Sequence, residues 1–153
     1  MEKTQVMRML DKNKIEYNAY TYDGVVSGMD VANYLKLDPS RMYKTLVTIS
    51  KEKNIYVFLV SVDRELDLKK AASVVGEKNL DMLPSKELLS ITGCIHGGCS
   101  PIGMKKTFKT VIDETATNYD TIYFSAGKIG YEVELSLDSL SKIIDFSIAD
   151  ITK

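Results

Sequence analysis

The chain has 153 residues, of which 44% are hydrophobic and 27% charged, with a formal net charge of −1 and two cysteines. That length fits one domain, residues 1–153, with a sizeable core, and the composition is that of an ordinary soluble globular protein. It excludes a membrane helix, since no apolar run approaches about 18 residues, and also a disulfide scaffold and capture of nucleic acid by overall charge. The opening Met-Glu-Lys-Thr-Gln-Val lacks the apolar centre of a secretion signal, so a reducing cytoplasm is the expected location and no membrane partner is expected.

Val6, Met9 and Leu10 recur at helical spacing, which predicts a short amphipathic helix over residues 4–13. Ile15, Tyr17, Tyr20 and Tyr22 suit a strand over 15–22, closed by the turn pair Asp23-Gly24. Tyr20 and Tyr22 share one face of it, where a phenol can bond a substrate, stack on a base or sit satisfied in a core. Ser27 followed by Asp30 has the form of a capping box ahead of a helix that carries Val31, Tyr34 and Leu35 and ends near Lys36. Asp38-Pro39 begins a turn.

Residues 43–49 and 54–62 read as two strands joined by Ser50-Lys51-Glu52-Lys53, hence as an antiparallel pair. The second is apolar from Ile55 to Val60, which places it in mid-sheet with both faces covered. Lys44, near the start of the first, must snorkel to solvent or meet an anionic partner. In the second case it offers three N–H donors to a carbonyl or phosphate oxygen, with Thr45 adding a hydroxyl on the other face.

Asp67 caps a helix whose Leu68, Ala71, Ala72 and Val75 form one stripe and which Gly76 ends. A short strand over 80–83 and a fourth helix from Pro84-Ser85, with Leu88 and Leu89, deliver the chain to the segment 92–106. Strands are expected over 108–112, 121–125 and 131–135, and a last helix, capped by Ser136, through Leu137, Leu140 and Ile144. Hairpins mixed with isolated helices, without regular alternation or repeat, predict an α+β fold: a mixed, largely antiparallel sheet surrounded by helices.

The segment 92–106 gathers Gly97, Gly98, Gly103, Pro101, Cys94, Cys99 and the only histidine, His96. Glycines that take positive φ, beside a proline that stiffens the loop, can aim bare N–H groups at an anion or carbonyl; they also make ordinary turns. Lys105, Lys106 and Lys109 follow, either as a solvated face or as a seat for a phosphate backbone. Three standard chemistries fit poorly. Gly98-x-x-x-x-Gly103 has Met104 where a P-loop needs lysine, and Cys94, His96 and Cys99 lack a fourth cysteine or histidine to complete a zinc tetrahedron. Cys99 with His96 lacks a third group to orient a nucleophile and base.

Taken together, Tyr22, Tyr43-Lys44-Thr45-Leu46, Leu66-Asp67-Leu68-Lys69-Lys70, the loop Gly97-Gly98-Cys99-Ser100-Pro101-Ile102-Gly103 and Ser125-Ala126-Gly127-Lys128 resemble the YbaK/EbsC family. These are aminoacyl-tRNA deacylases related to the editing domain of bacterial prolyl-tRNA synthetase, and the resemblance runs through essentially the whole chain. It implies a barrel-like sheet, no metal or cofactor, and hydrolysis of the ester in mischarged tRNA, above all Cys-tRNA(Pro). The alternatives are a related deacylase with another preference, such as Ala-tRNA(Pro), and a tRNA-binding module without catalysis.

By the same resemblance Lys44 holds the ester or the terminal phosphate, and the backbone N–H groups of Gly97, Gly98, Cys99 and Ser100, in the loop that Pro101 stiffens, stabilise the ester oxygen. A group of the substrate, such as the cysteine thiol, is implied as the attacking atom. Tyr22, Thr45, Gly103 and Glu132 are implied to bind substrate, Glu132 standing where relatives carry aspartate. His96, Lys105, Lys106, Lys109 and Lys128 are expected to contact tRNA, and prolyl-tRNA synthetase to be the partner that confers tRNA specificity.

Overall fold

The computed structural model describes residues 2–153. Its first helix, α1 (Gln5–Lys12), begins where the Thr4 hydroxyl accepts the Met7 N–H at 3.2 Å, and it turns Val6, Met7 and Leu10 inward. Strand β1 (Asn18–Thr21) is shorter than the aromatic pattern predicts. Helix α2 (Gly28–Leu35) starts at Ser27, whose hydroxyl accepts the Asp30 N–H, and stops at Lys36 in the left-handed conformation. After a short 3-10 turn at Pro39–Arg41, the strands β2 (Tyr43–Ile49) and β3 (Ile55–Ser61) form the expected antiparallel pair.

Helix α3 (Leu68–Val75) lies between the Asp67 carboxylate, which accepts the N–H groups of Lys69 and Lys70, and Gly76 at φ 78°. The chain continues through β4 (Asp81–Met82), α4 (Ser85–Thr92), β5 (Lys109–Asp113), a 3-10 turn at Glu114–Asn118, β6 (Ile122–Ser125) and β7 (Tyr131–Leu135). Helix α5 (Leu137–Leu140) is a single turn rather than a helix reaching Ile144, because the N–H groups of Lys142 and Ile143 turn back three residues, to the Ser139 and Leu140 carbonyls, and break the four-residue ladder. A strand that the sequence did not announce, β8 (Ser147–Ala149), closes the order.

The strands form two sheets, β1-β7-β6 and β4-β2-β3-β5-β8. Pairing is antiparallel except where β5 joins β3 and β8, so the mixed, largely antiparallel α+β class holds. The expected barrel-like closure is not what the hydrogen bonds build. The sheets meet at one parallel bridge, Met42 to Tyr123, and stay open elsewhere. The reason lies in β2: β4 pairs only with its last residues, Thr48 and Ile49, and the first half borders a cavity where a continuing ladder would have to run.

Strand β3 is covered on both faces, as its unbroken apolar run requires. Val57 and Leu59 point into a core shared with Ile112, Phe124, Val133 and Leu135, into which α1 also sends Met7 and Leu10. Phe58 and Val60 pack the other way, on Ala71 and Ala72 of α3 and on Ile151. A third cluster, Tyr22, Val31, Ala32, Met42 and Tyr123, seats α2 on the outer face of the three-stranded sheet. Asp113 is buried and saturated: one oxygen accepts the Ile151 N–H at 3.0 Å, the other the Thr115 hydroxyl at 2.7 Å and its N–H. It ties β5 to the C-terminal segment.

Candidate functional site

A cavity of about 430 Å³ opens at the seam between the two sheets. Its floor is the first half of β2 with the residue before it, where Met42 to Leu46 all reach it. The β1 end contributes Tyr22, β6 Ser125 and β7 Glu132; one wall is the start of α2 with Ser27, Gly28 and Val31, and another is Leu88 of α4 with His96, Gly97 and Cys99. Lys44 and Thr45 lie on opposite faces of their strand, yet both border the cavity because it opens on that strand's free edge.

Two of the lining side chains hold buried polar atoms without a hydrogen-bond partner among the described residues, Thr45 Oγ1 and Glu132 Oε2. Glu132 is only 6% exposed, and burial pushes its carboxyl up to about 8, so it carries its proton at neutral pH. Burial also raises the Tyr22 phenol against the lowering effect of a Gly130 N–H bond, and the nearby Glu132 adds to the rise. Lys44 makes no hydrogen bond or ion pair among the described residues. Buried polar groups normally find partners inside the fold. Here a hydroxyl and a carboxyl oxygen go without one, and the half-buried Lys44 borders the same cavity.

The glycine loop is shaped by a turn from Ile95 to Gly98, closed by the Gly98 N–H on the Ile95 carbonyl at 3.0 Å. Gly97, at φ 84°, holds the third turn position, which a side chain would strain, and a Cβ there would stand 2.8 Å from Val26 Cγ1. Gly98 is pressed on the β6–β7 loop, its missing Cβ 3.1 Å from Ile129 N. The Gly98 N–H is therefore spent inside the turn. The N–H groups of Gly97 and Cys99 have no acceptor among the described residues, and both residues stand on the cavity wall.

The remaining sequence candidates are distributed around this centre. Ser100 and Pro101 are buried behind the loop, and neither they nor Gly98 or Gly103 line the cavity. Gly98, Ser100 and Gly103 border a small void of about 80 Å³ against α1. Cys99 donates toward Cys94, a contact that together with burial pushes the Cys99 thiol up, the reverse of what a nucleophile needs. Cys94 is itself buried, with its sulfur 3.9 Å from the Ser100 carbonyl.

His96 is exposed at the mouth. Lys105, Lys106 and Lys109 are exposed but off the cavity; Lys105 reaches the Ser90 carbonyl at 3.3 Å. Lys128 is paired with Glu2 at 2.8 Å and lies over the Tyr131 ring. Among the described residues no group of three or more His, Cys, Asp or Glu is arranged to hold a metal, and no helix is long and apolar enough to cross a membrane.

Sequence reasoning missed part of the wall. Ser27 and Gly28 read only as a helix start, but Gly28 lets α2 close on the site: a Cβ there would fall 2.3 Å from Val62 Cγ1. Leu88 read only as a core position of α4. The hint available for Ser27 and Gly28 was a glycine at the first turn of a helix, where none is needed for capping.

The family model of the aminoacyl-tRNA editing domain matches residues 24–143, which include every cavity residue on β2, the glycine loop, β6 and β7. A protein of Enterococcus faecalis named as a candidate Cys-tRNA(Pro)/Cys-tRNA(Cys) deacylase, EbsC, is 40% identical over 99% of this chain and 94% of its own length. The proline–tRNA ligase of Lactobacillus gasseri is 29% identical over 78% of this chain, which spans only 22% of that larger enzyme. Among solved structures, that of a candidate trans-editing enzyme for prolyl-tRNA synthetase superposes with a TM-score of 0.85 over 99% of both chains at 21% identity, and so shares the fold. The chain belongs to the aminoacyl-tRNA editing domain family.

Proposed function

We propose that this protein hydrolyses the ester of mischarged tRNA, with Cys-tRNA(Pro) as its principal substrate. The observation that carries this reading is the unpartnered trio of Lys44, Thr45 and Glu132 in one cavity beside the glycine turn. Its support from kinship is the 40% identity to the Enterococcus faecalis protein along nearly the full length of both chains.

The work of such a site is positioning and charge stabilisation. Lys44 lies against the ester carbonyl or the terminal phosphate. The free N–H groups of Gly97 and Cys99 receive the charge that develops on the carbonyl oxygen; Gly98 takes no part in this, since its N–H closes the turn. Thr45 and Glu132 hold the aminoacyl group, the carboxyl of Glu132 meeting the substrate's α-amino nitrogen. Cys99 stays protonated, so the attacking atom comes from water or from the substrate's own thiol. Attack at the carbonyl carbon breaks its bond to the ribose oxygen, which leaves with a proton as the free 3′ end of the tRNA.

The exposed lysines 105, 106, 109 and 128 serve the acceptor stem as salt-sensitive phosphate contacts, which position the RNA without selecting it. Selection of tRNA(Pro) falls to prolyl-tRNA synthetase as partner, a reading supported by the homologous segment within the Lactobacillus gasseri ligase.

The test is the rate of ester loss from Cys-, Ala- and Pro-tRNA(Pro) with the native protein and Lys44→Ala. Loss of the cysteinyl ester with Pro-tRNA(Pro) spared, reduced about 100-fold or more by Lys44→Ala at unchanged stability, is the expected result. Faster loss of the alanyl ester moves the preference to alanine, and no hydrolysis by folded protein sinks the reading.

A further inference from the structure

Three branched aliphatic side chains stand exposed around the mouth of the cavity: Val26 at 51%, Ile95 at 44% and Ile129 at 40%. They come from three separate segments and converge on one turn. The Gly97 Cβ position lies 2.8 Å from Val26 Cγ1 and 3.6 Å from Ile129 Cγ1; the Gly98 position lies 3.2 Å from Ile95 Cγ1. Val26 also lines the cavity, and His96 stands exposed at the same turn. Isolated exposed aliphatics need no explanation, but a cluster held against the rim of a pocket does.

We infer that this rim is the seat of the terminal nucleobase of the tRNA, an adenine stacked on Ile129, Ile95 and Val26. The inference rests on the reading of the previous subsection. The scissile ester hangs on the ribose of the last nucleoside. With its carbonyl beside Lys44 and Gly97, the ribose occupies the mouth and its base, one glycosidic bond away, must fall on the rim. A purine has two apolar faces and a polar edge; branched aliphatics covering one face and an imidazole at the edge of the platform match that chemistry. Three side chains are too few for a stable protein interface, and a protein seated on them would stopper the cavity.

The platform is also rigid before the base arrives. The β6–β7 loop that carries Ile129 is fixed by the Gly127 N–H on the Ser125 hydroxyl oxygen at 3.1 Å and by the Tyr131 N–H on the Lys128 carbonyl at 3.2 Å. Ile95 opens the turn closed by Gly98, and Val26 precedes the capped start of α2. A prepared surface loses little freedom when it binds.

The site adds base recognition without sequence choice. Every tRNA ends in the same adenosine, so the rim strengthens binding of any acceptor end and leaves amino-acid discrimination to Thr45 and Glu132.

The experiment compares two non-hydrolysable ligands by calorimetry, 3′-cysteinylamido-3′-deoxyadenosine and the same molecule with hydrogen in place of adenine. The native protein is expected to bind the nucleoside about 10-fold or more tighter than the abasic ligand, the stacking contribution of one base. Ile129→Ser and Ile95→Ser should each remove much of that ratio and leave the abasic affinity in place, whereas Ile129→Phe, which widens the platform, should raise the ratio. Equal affinity of the native protein for both ligands overturns the proposal, as do variants that weaken both ligands alike. Ester loss from Cys-tRNA(Pro), followed in parallel, separates the two readings. Intact hydrolysis with base-independent binding overturns the nucleobase seat alone, while absent hydrolysis with neither ligand bound overturns the function and the seat together.

Discussion

Glu132 and Glu134 stand two residues apart on the same face of β7, and the fold treats them in opposite ways. Glu134 accepts the Tyr20 hydroxyl at 2.6 Å, the Thr121 hydroxyl and the Asn18 amide, with the Arg41 guanidinium at 3.6 Å. Burial alone would raise its carboxyl, but the bonds from Thr121, Tyr20 and Asn18 and the charge of Arg41 outweigh it, and its pKa falls below the usual value. Glu132 faces β1 and β6 neighbours too, Tyr20 and Ser125 in register, yet Oε2 has no partner and its pKa climbs to about 8. One carboxylate holds the sheet together. The other is kept bare at a cost in stability, which is how a binding site differs from a structural network.

The largest way to break this comparison is Glu134→Ala. It takes the shared acceptor from the hydroxyls of Tyr20 and Thr121 and the ion-pair partner from Arg41, whose guanidinium keeps its bonds to Thr121, and should cost about 2–4 kcal/mol in urea unfolding. The sign in pH follows from the lowered value. Glu134's contribution is present above the unfolded carboxylate pKa, about 4.5, and is lost as pH falls through the lower folded one. A variant as stable as the native protein at pH 7 would show that the network is ornamental.

That network also marks what the sequence alone could reveal. Alternation along Tyr131-Glu-Val-Glu-Leu135 shows that both glutamates leave the core face, but not which one is partnered, because the partners of Glu134 lie far away in sequence at Asn18, Tyr20, Arg41 and Thr121. Local signals were legible. Ser27, Asp67 and Gly76 bounded helices as capping chemistry requires, and the unbroken apolar run of β3 announced its place in mid-sheet. Strand β8 was not legible, since Ser147-Ile-Ala149 becomes a strand only by parallel pairing with β5. Within the site, Lys44 and Gly97 were singled out and share the cavity, while Gly98, Pro101 and Gly103, equally prominent in sequence, stand behind it because the turn has only one face toward the pocket. Ser27, Gly28 and Leu88 join the wall through the packing of α2 and α4, which no local pattern encodes.

A smaller effect, opposite in sign, is expected from Glu132→Gln. With a folded pKa of about 8 against the ordinary 4.5, native Glu132 binds its proton more tightly in the folded state, so stability falls as pH rises from about 4.5 to about 8. The amide has no charge to bury. The variant should show a flatter pH profile and gain about 1–3 kcal/mol over the native protein at pH 8.5, while losing deacylation. Denaturation midpoints at pH 5 and pH 8.5 check the first statement. A native profile without that decline would mean the carboxyl is solvated or partnered after all, and the contrast with Glu134 would collapse.

Thr45→Val carries the smallest expected change in stability and sharpens the contrast furthest. The Thr45 hydroxyl is buried without a partner, so replacing it by a methyl of similar size removes an unmet polar group and no hydrogen bond. Stability should rise, by less than about 1 kcal/mol because an open cavity admits water to part of that hydroxyl's needs. Thr115→Val is the matched control: its hydroxyl bonds Asp113 at 2.7 Å and meets Tyr43 at 2.8 Å, so the same replacement should cost about 1–3 kcal/mol. Activity should move the other way, Thr45→Val raising KM for the cysteinyl ester with Thr115→Val leaving it near native in the folded fraction. Equal losses of stability in the two variants would mean that Thr45 is a structural residue, and the contrast with the structural network would then rest on Glu132 alone.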